Sequence, residues 1–262
     1  MKTASVRLSV ATLAVALFIG FAPAAKAELI TLNYQGPTTG PGNPTLTVQL
    51  NGTTYSNTTV GPFYWDQNQV PPNSNFPPPI ATFCIELDNS QPLPPLNTNT
   101  TFAAVAPSAS PTIGNNPAKI AAIQELYGRH YDFAWNDKTT FHGSVASAAF
   151  QLALWELVYD GASTKNLGAG NFQASGLGTY TTTAQSMLNS LNGDTSLFAS
   201  RFSSMTALLA PATGAKSQDF VQDQLIVQPG AIPTPPAVLL AGIGVFALFG
   251  RARLNRRTPT AA

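Results

Sequence analysis

The chain has 262 residues, 10% of them charged and 44% hydrophobic, with 22 prolines and one cysteine, enough for one large domain or two small ones with a real core. Its formal charge of +1 hides an uneven distribution: from Glu28 to Gly230 six Lys or Arg stand against twelve Asp or Glu, and the other basic residues sit at the two ends. An acidic body without a basic stripe argues against nucleic acid as a partner, and the lack of a G-x-x-x-x-G-K-[ST] loop or an H-E-x-x-H pair leaves nucleotide and zinc-protease readings without support.

The first 27 residues carry Lys2 and Arg7, an apolar run from Leu8 to Phe21, and then Ala25-Lys26-Ala27. This is the order of a secretory signal peptide ending in a small-x-small cleavage site. An apolar run of about 14 residues is short of the roughly 20 that a membrane span needs. Cleavage by signal peptidase after Ala27 is expected, which gives an exported protein that begins at Glu28.

Apolar and polar residues alternate from Leu29 to Tyr34, and again at Leu46, Val48 and Leu50 ahead of Asn51-Gly52, a pair favoured in two-residue turns, so a hairpin is expected to start a sheet. Two stretches dense in Pro, Asn and Gly, Gly36 to Pro44 and Gln67 to Pro79, read as loops. Ile80 to Leu87 reads as a strand with Phe83, Ile85 and Leu87 on one face and Thr82, Cys84 and Glu86 on the other. Glu86 and Asp88 read as a solvated strand end. Between Asp88 and Asn116 the one strand-like piece is Phe102 to Val105.

A helical subdomain is expected from about Pro117 to Leu209. Asn116-Pro117 is a helix start, since Asn caps free N–H groups and Pro is tolerated in the first turn, and Ile120, Ile123, Leu126 and Tyr127 follow at helical spacing. A second helix is expected from Ser144 to Tyr159, closed by Asp160-Gly161, and a third from Thr181 to Leu191 before Asn192-Gly193. Phe220 to Val227 reads as a returning strand. The fold class is α+β: a β-sandwich or barrel-like part interrupted by helices, between a leader at 1–27, a body at 28–229 and a tail at 230–262.

That tail runs Ile232-Pro-Thr-Pro-Pro-Ala237, then an apolar stretch from Val238 to Phe249, then Arg251, Arg253, Arg256 and Arg257. A proline kink, a short apolar helix and a basic cluster suit a segment that enters the inner membrane with its arginines in the cytoplasm. The order resembles the PEP-CTERM sorting tails of Gram-negative bacteria, with Pro233, Pro235, Pro236 and Ala237 at the signature and Thr234 in place of the usual acid. The resemblance implies recognition by an exosortase-like enzyme during delivery to the cell surface. The other reading is a plain transmembrane helix that stays as an anchor.

Around the second helix, Val145, Ala148, Ala149, Phe150, Leu152, Leu154, Trp155, Leu157 and Tyr159 cover most of the circumference, so the helix is expected to be buried. Ser144, Ser147 and Gln151 share one narrow stripe, which aims the amide in a definite direction. A buried primary amide needs partners for two donors and an acceptor. It either hydrogen-bonds the backbone or is consumed: a thiol held at about 3–3.5 Å can attack the amide carbon, expel ammonia and leave a thioester. Cys84 is the one thiol, and a lone cysteine in an exported chain has nothing to pair with.

Phe83-Cys84-Ile85-Glu86 and Phe150-Gln151-Leu152-Ala153-Leu154-Trp155 resemble the two signatures of the thioester domains of bacterial surface proteins. The resemblance spans about residues 29 to 228, Cys first and Gln second. It implies a cross-link between Cys84 and Gln151 that an amine or hydroxyl on a polysaccharide or protein of the surface or biofilm matrix would open, for adhesion. That chemistry is single-turnover, so no enzyme and no cofactor or metal is implied. His130 and His142 are the assisting bases by residue type. Three readings stay open: the thioester, a passive sorted surface or matrix protein with a buried Cys and a satisfied core Gln, and a cysteine hydrolase, for which the sequence shows no orienting Asn or Asp motif and no nucleophile elbow. Tyr64-Trp65 and Tyr131 to Trp135 read as aromatic core or loop anchors ahead of a sugar-binding floor.

Overall fold

Alternation in the first segment of the body produces β1 (Glu28–Pro37), where Ile30, Leu32 and Tyr34 point into the core while Leu29 stays 71% exposed. The computed structural model describes residues 27–37, 44–66, 80–87, 95–137, 144–210 and 222–230. Residues 1–26, 38–43 and 67–79, Asp88, His142 and residues 231–262 lie outside them. Among the described residues no helix is long and apolar enough to cross a membrane.

The Asn51-Gly52 signal makes a hairpin between β2 (Thr45–Leu50) and β3 (Thr53–Thr59). Both turn residues have positive φ, 51° and 78°, the combination that matches the twist of the flanking strands. This hairpin does not begin the main sheet. With β7 (Phe172–Gln173) it forms a separate three-stranded sheet, in the order β3-β2-β7.

The main sheet closes into a six-stranded antiparallel barrel in the order β1-β4-β5-β9-β8-β6, built from β1, β4 (Phe63–Asp66), β5 (Ile80–Cys84), β6 (Asn99–Val105), β8 (Phe202–Leu209) and β9 (Gln224–Pro229). Closure leaves the barrel no free edge. The chain is thus mixed helix and sheet, and the four α-helices among the described residues fall between β6 and β8 in chain order. Phe202–Leu209, assigned by sequence to the helical stretch, is a barrel strand. Its pairs with β6 and β9 override the local pattern, since strand formation is decided by cross-strand partners that lie far away in sequence.

The first helix, α1 (Pro117–His130), starts as expected, with Asn116 Oδ1 accepting the Lys119 N–H at 3.1 Å. The second, α2 (Val145–Tyr159), is capped by Ser144, and every residue from Ser147 to Val158 is buried. The third, α3 (Thr179–Asn189), begins and ends two residues earlier than expected. A fourth, α4 (Ser196–Arg201), is six residues long and too short to show a helical period in sequence.

The barrel core and the helices meet at β5, whose five residues are all buried. Thr82 faces the barrel side, where its Oγ1 accepts the Trp65 Nε1–H at 2.9 Å and Trp65 packs on Tyr34 and Phe102 at 5.0 and 5.1 Å between ring centroids. Phe83 faces the helices and touches Phe150, Trp135, Tyr131 and Tyr127 at 4.7, 5.7, 6.2 and 6.4 Å. The aromatic segments Tyr64-Trp65 and Tyr131 to Trp135 are therefore mostly core: Tyr64, Trp65, Tyr131 and Trp135 are all buried.

Candidate functional site

Cys84 is the last residue of β5 and is completely buried. On one side β4 stops short, its terminal residue Phe63 lying opposite Thr82. On the other side, Ile85 N–H donates to Asp223 O at 2.9 Å, and Cys84 stands opposite Gln224 of β9. Because bonded and non-bonded residues alternate along an antiparallel ladder, the N–H and C=O of Cys84 both turn toward the place where β4 has ended. Left there without partners, each buried group would cost about 1–3 kcal/mol.

Gln151 fills the gap. Cys84 N–H donates to Gln151 Oε1 at 3.1 Å, and Gln151 Nε2 donates to Cys84 O at 2.8 Å. One side-chain amide stands in for a peptide group of a neighbouring strand. A second rivet is Tyr159, whose Oη accepts the Leu87 N–H at 2.6 Å. The two contacts lie about 12 Å apart along α2, so the helix is fixed to this segment at its middle and at its C-terminal end.

The serine stripe proves to be a cap. Ser144 Oγ accepts the Ser147 N–H at 3.0 Å, and Ser147 Oγ donates to Ser144 O at 3.0 Å and accepts the Ser144 N–H at 3.1 Å. Of the three polar residues on that stripe, Gln151 alone reaches Cys84.

The sulfur sits at the rim of the barrel, with Sγ 2.7 Å from Glu86 O and 3.0 Å from Gln222 Oε1. Glu86 is half-buried and tied into the fold, not a solvated strand end: its Oε2 accepts the Asp223 N–H at 3.0 Å. Asp223 is 7% exposed, and its Oδ1 accepts the Ala210 N–H at 2.8 Å. Burial pushes the Cys84 thiol well above its ordinary range and the Glu86 and Asp223 carboxylates add to that, while the Glu86 backbone and the Trp155 side chain pull the other way. Burial and the neighbouring Glu86 raise the Asp223 carboxyl to about 7, against a weaker downward pull from the Ala210 N–H. The Trp155 Nε1–H, on a residue only 1% exposed, has no hydrogen-bond partner among the described residues, yet lies close enough to Sγ to favour its anion.

These contacts have two chemical meanings. They are the bonds of a core glutamine that completes a strand end. They would also suit an attack on the amide by sulfur, because the Cys84 N–H points at Oε1, where negative charge would develop if sulfur added to the carbon.

Of the two expected bases, His130 does not join this cluster. His130 Nε2 is 2.7 Å from Ser190 Oγ, and burial followed by the adjacent Arg129 charge lowers its pKa; His142 lies outside the described residues. Sequence reasoning passed over Gln222, Asp223 and the bonding role of Glu86. Asp223 is the one charged residue in the stretch from Phe220 to Val227, which was the signal available. No protein-family model, curated protein or solved structure matches the chain.

Proposed function

We propose that this is an exported cell-surface protein that stores an internal thioester between Cys84 and Gln151 and uses it once, to attach itself covalently to a partner. What carries the reading is the bidentate bond between the Gln151 amide and the Cys84 backbone. It brings a fully buried primary amide to the backbone of the one residue with a thiol, on a helix fastened at two points, which supports a close approach of the two reacting groups.

In the formation step the Cys84 S–H proton leaves, an S–C bond forms at Gln151 Cδ, the C–N bond breaks, and ammonia departs carrying the proton. In the capture step an amine or hydroxyl of a matrix polysaccharide or surface protein adds to the same carbon. The C–S bond breaks, the thiol regains a proton, and an amide or ester remains. The resemblances to thioester domains and PEP-CTERM tails in the sequence support export, exosortase-type sorting and surface delivery. In this reading the barrel and helices are the rigid frame for one acyl group.

The intact mass of the full-length chain, before and after methylamine, tests this. The expected result is a chain lighter than encoded by one ammonia that gains one methylamine at Gln151. A chain at its encoded mass with a titratable thiol overturns it. The satisfied bonding of Gln151 favours a second reading, a passive surface protein in which Gln151 only closes the end of β5, and that chain would show the second result.

A further inference from the structure

Cys84 meets two side-chain amides, and they reach different parts of it. Gln151 bonds its backbone N–H and C=O. The sulfur is met by Gln222, whose Oε1 lies 3.0 Å from Sγ. Strand register explains the difference. Side chains alternate between faces along β5, so Cys84 shares the barrel side with Thr82 while Phe83 turns to the helices. Cys84 stands opposite Gln224, and the ladder runs one bond beyond β9, from Ile85 N–H to Asp223 O. Gln222, two residues before Gln224, is therefore the diagonal neighbour of Cys84 on the same face, within reach of a long side chain.

The backbone around Gln222 is fixed. Its C=O accepts from Gln224 Nε2 at 3.1 Å, and the next residue, Asp223, is tied by its N–H to Glu86 Oε2 and by its C=O to Ile85 N–H. A C=O bond is about 1.2 Å long, so Gln222 Cδ lies no more than about 4.2 Å from Sγ. That is one turn of the amide from the roughly 3–3.5 Å of a near-attack arrangement. The two amides also differ in access: Gln151 is 0% exposed, whereas Gln222 is half-buried at the barrel rim.

Resting on the thioester reading, we propose that Gln222 is a second acyl site for the same thiol: in a share of the molecules Cys84 is joined to Gln222 in place of Gln151, and this rim thioester is the one that captures nucleophiles carried on a polymer.

The chemistry balances as it does at Gln151. The S–H proton leaves, an S–C bond forms at Gln222 Cδ, the C–N bond breaks, and ammonia departs with the proton. In capture an amine or hydroxyl adds to Gln222 Cδ, the C–S bond breaks, the thiol regains a proton, and an amide or ester remains. The Trp155 Nε1–H, buried and without a hydrogen-bond partner among the described residues, stands beside the same sulfur and serves it at either amide. One thiol serves both sites, so each chain loses one ammonia. A small amine enters the core to reach Gln151, but a polymer end reaches only a carbonyl at the rim.

The test treats the full-length chain with methylamine in one sample and with an amine-ended polyethylene glycol in another, then locates each adduct by trypsin digestion and tandem mass spectrometry. Cuts at Lys138 and Lys165 isolate Gln151, and a cut at Lys216 begins the peptide that holds Gln222. The expected result is methylamine mainly on Gln151 with a smaller share on Gln222, and the polymer amine on Gln222 alone. Gln222→Ala should lose polymer capture and still take methylamine at Gln151; the wild-type adduct map stands without it. Polymer amine absent from Gln222 in the wild type, or captured at the wild-type level by Gln222→Ala, overturns the second site and leaves the Cys84–Gln151 thioester standing. A wild type that loses no ammonia overturns both.

Discussion

The side-chain amide of Gln151 spends its hydrogen bonds on the backbone of a single residue, Cys84, which lies 67 positions earlier in the chain. The structural and chemical roles of the pair therefore separate under mutation. Cys84→Ala keeps both bonds and loses only the thiol.

Gln151→Ala leaves a buried N–H and a buried C=O without partners, a loss of roughly 2–5 kcal/mol. If the thioester forms, opening it also removes a long covalent loop from the unfolded chain, worth on the order of 4 kcal/mol by analogy with disulfide loops of that length. The expected order of stability in denaturant is untreated wild type first, then Cys84→Ala level with methylamine-treated wild type, then Gln151→Ala. Identical midpoints for treated and untreated wild type would remove the covalent loop from the account.

Trp155→Phe tests the unpartnered indole N–H beside the sulfur. Losing ring volume in the core is unfavourable, and losing a buried donor that bonds to nothing is favourable. The two offset, so unfolding free energy should stay within about 1 kcal/mol of wild type. Ammonia loss should nevertheless slow by about tenfold or more, since a donor that favours the thiolate is gone. Wild-type kinetics in a stably folded variant would show that the indole serves packing alone.

How much of this was legible in sequence depended on range. Ser144 to Tyr159 was legible almost to the residue, because capping, a buried circumference and a closing glycine are all local signals. The Asn51-Gly52 turn was legible for the same reason, whereas the sheet to which its hairpin belongs was not, because β7 lies more than 100 residues away. Phe202–Leu209 was misassigned because its partners, β6 and β9, are read only in three dimensions. Cys84 and Gln151 stood out as the one thiol and the one amide on a buried stripe. Asp223 did not, since a single acid in a strand is ordinary until the fold sets it against Glu86.

Gly128 examines the frame that supports the site. It lies in the interior of α1, where a Cβ would meet the Phe198 backbone nitrogen of α4 at 2.6 Å. Backbone cannot swing aside as a flexible side chain does, so α4 would have to move. The gain in helix propensity from Ala, about 1 kcal/mol, is the smaller effect. Gly128→Ala should destabilise the fold by about 1–3 kcal/mol in a denaturant titration, and a stabilised variant would show that α4 yields without cost.

Glu156 gives the fold a pH dependence between 4.5 and about 7. It is fully buried beside Trp155, its Oε1 accepts the Asn166 N–H at 2.8 Å, and its Oε2 has no partner among the described residues. Burial, reinforced by the Asp160 charge, raises its carboxyl to about 7 despite the Asn166 bond. A folded pKa above the unfolded value means that the native state holds the proton more tightly. Its contribution to stability is full below the unfolded value of 4.5 and is lost as pH rises through about 7. Asp223 acts in the same direction over the same window, whereas the lowered His130 works against them near pH 6.5 from a more exposed position. Comparing wild type with Glu156→Gln isolates the one group. The variant should gain relative stability between pH 4.5 and 7, by on the order of 3 kcal/mol in all, and hold level above that. Thermal unfolding at pH 5, 6, 7 and 8 measures it, and a difference that does not change with pH would mean that Glu156 is already charged in the native state.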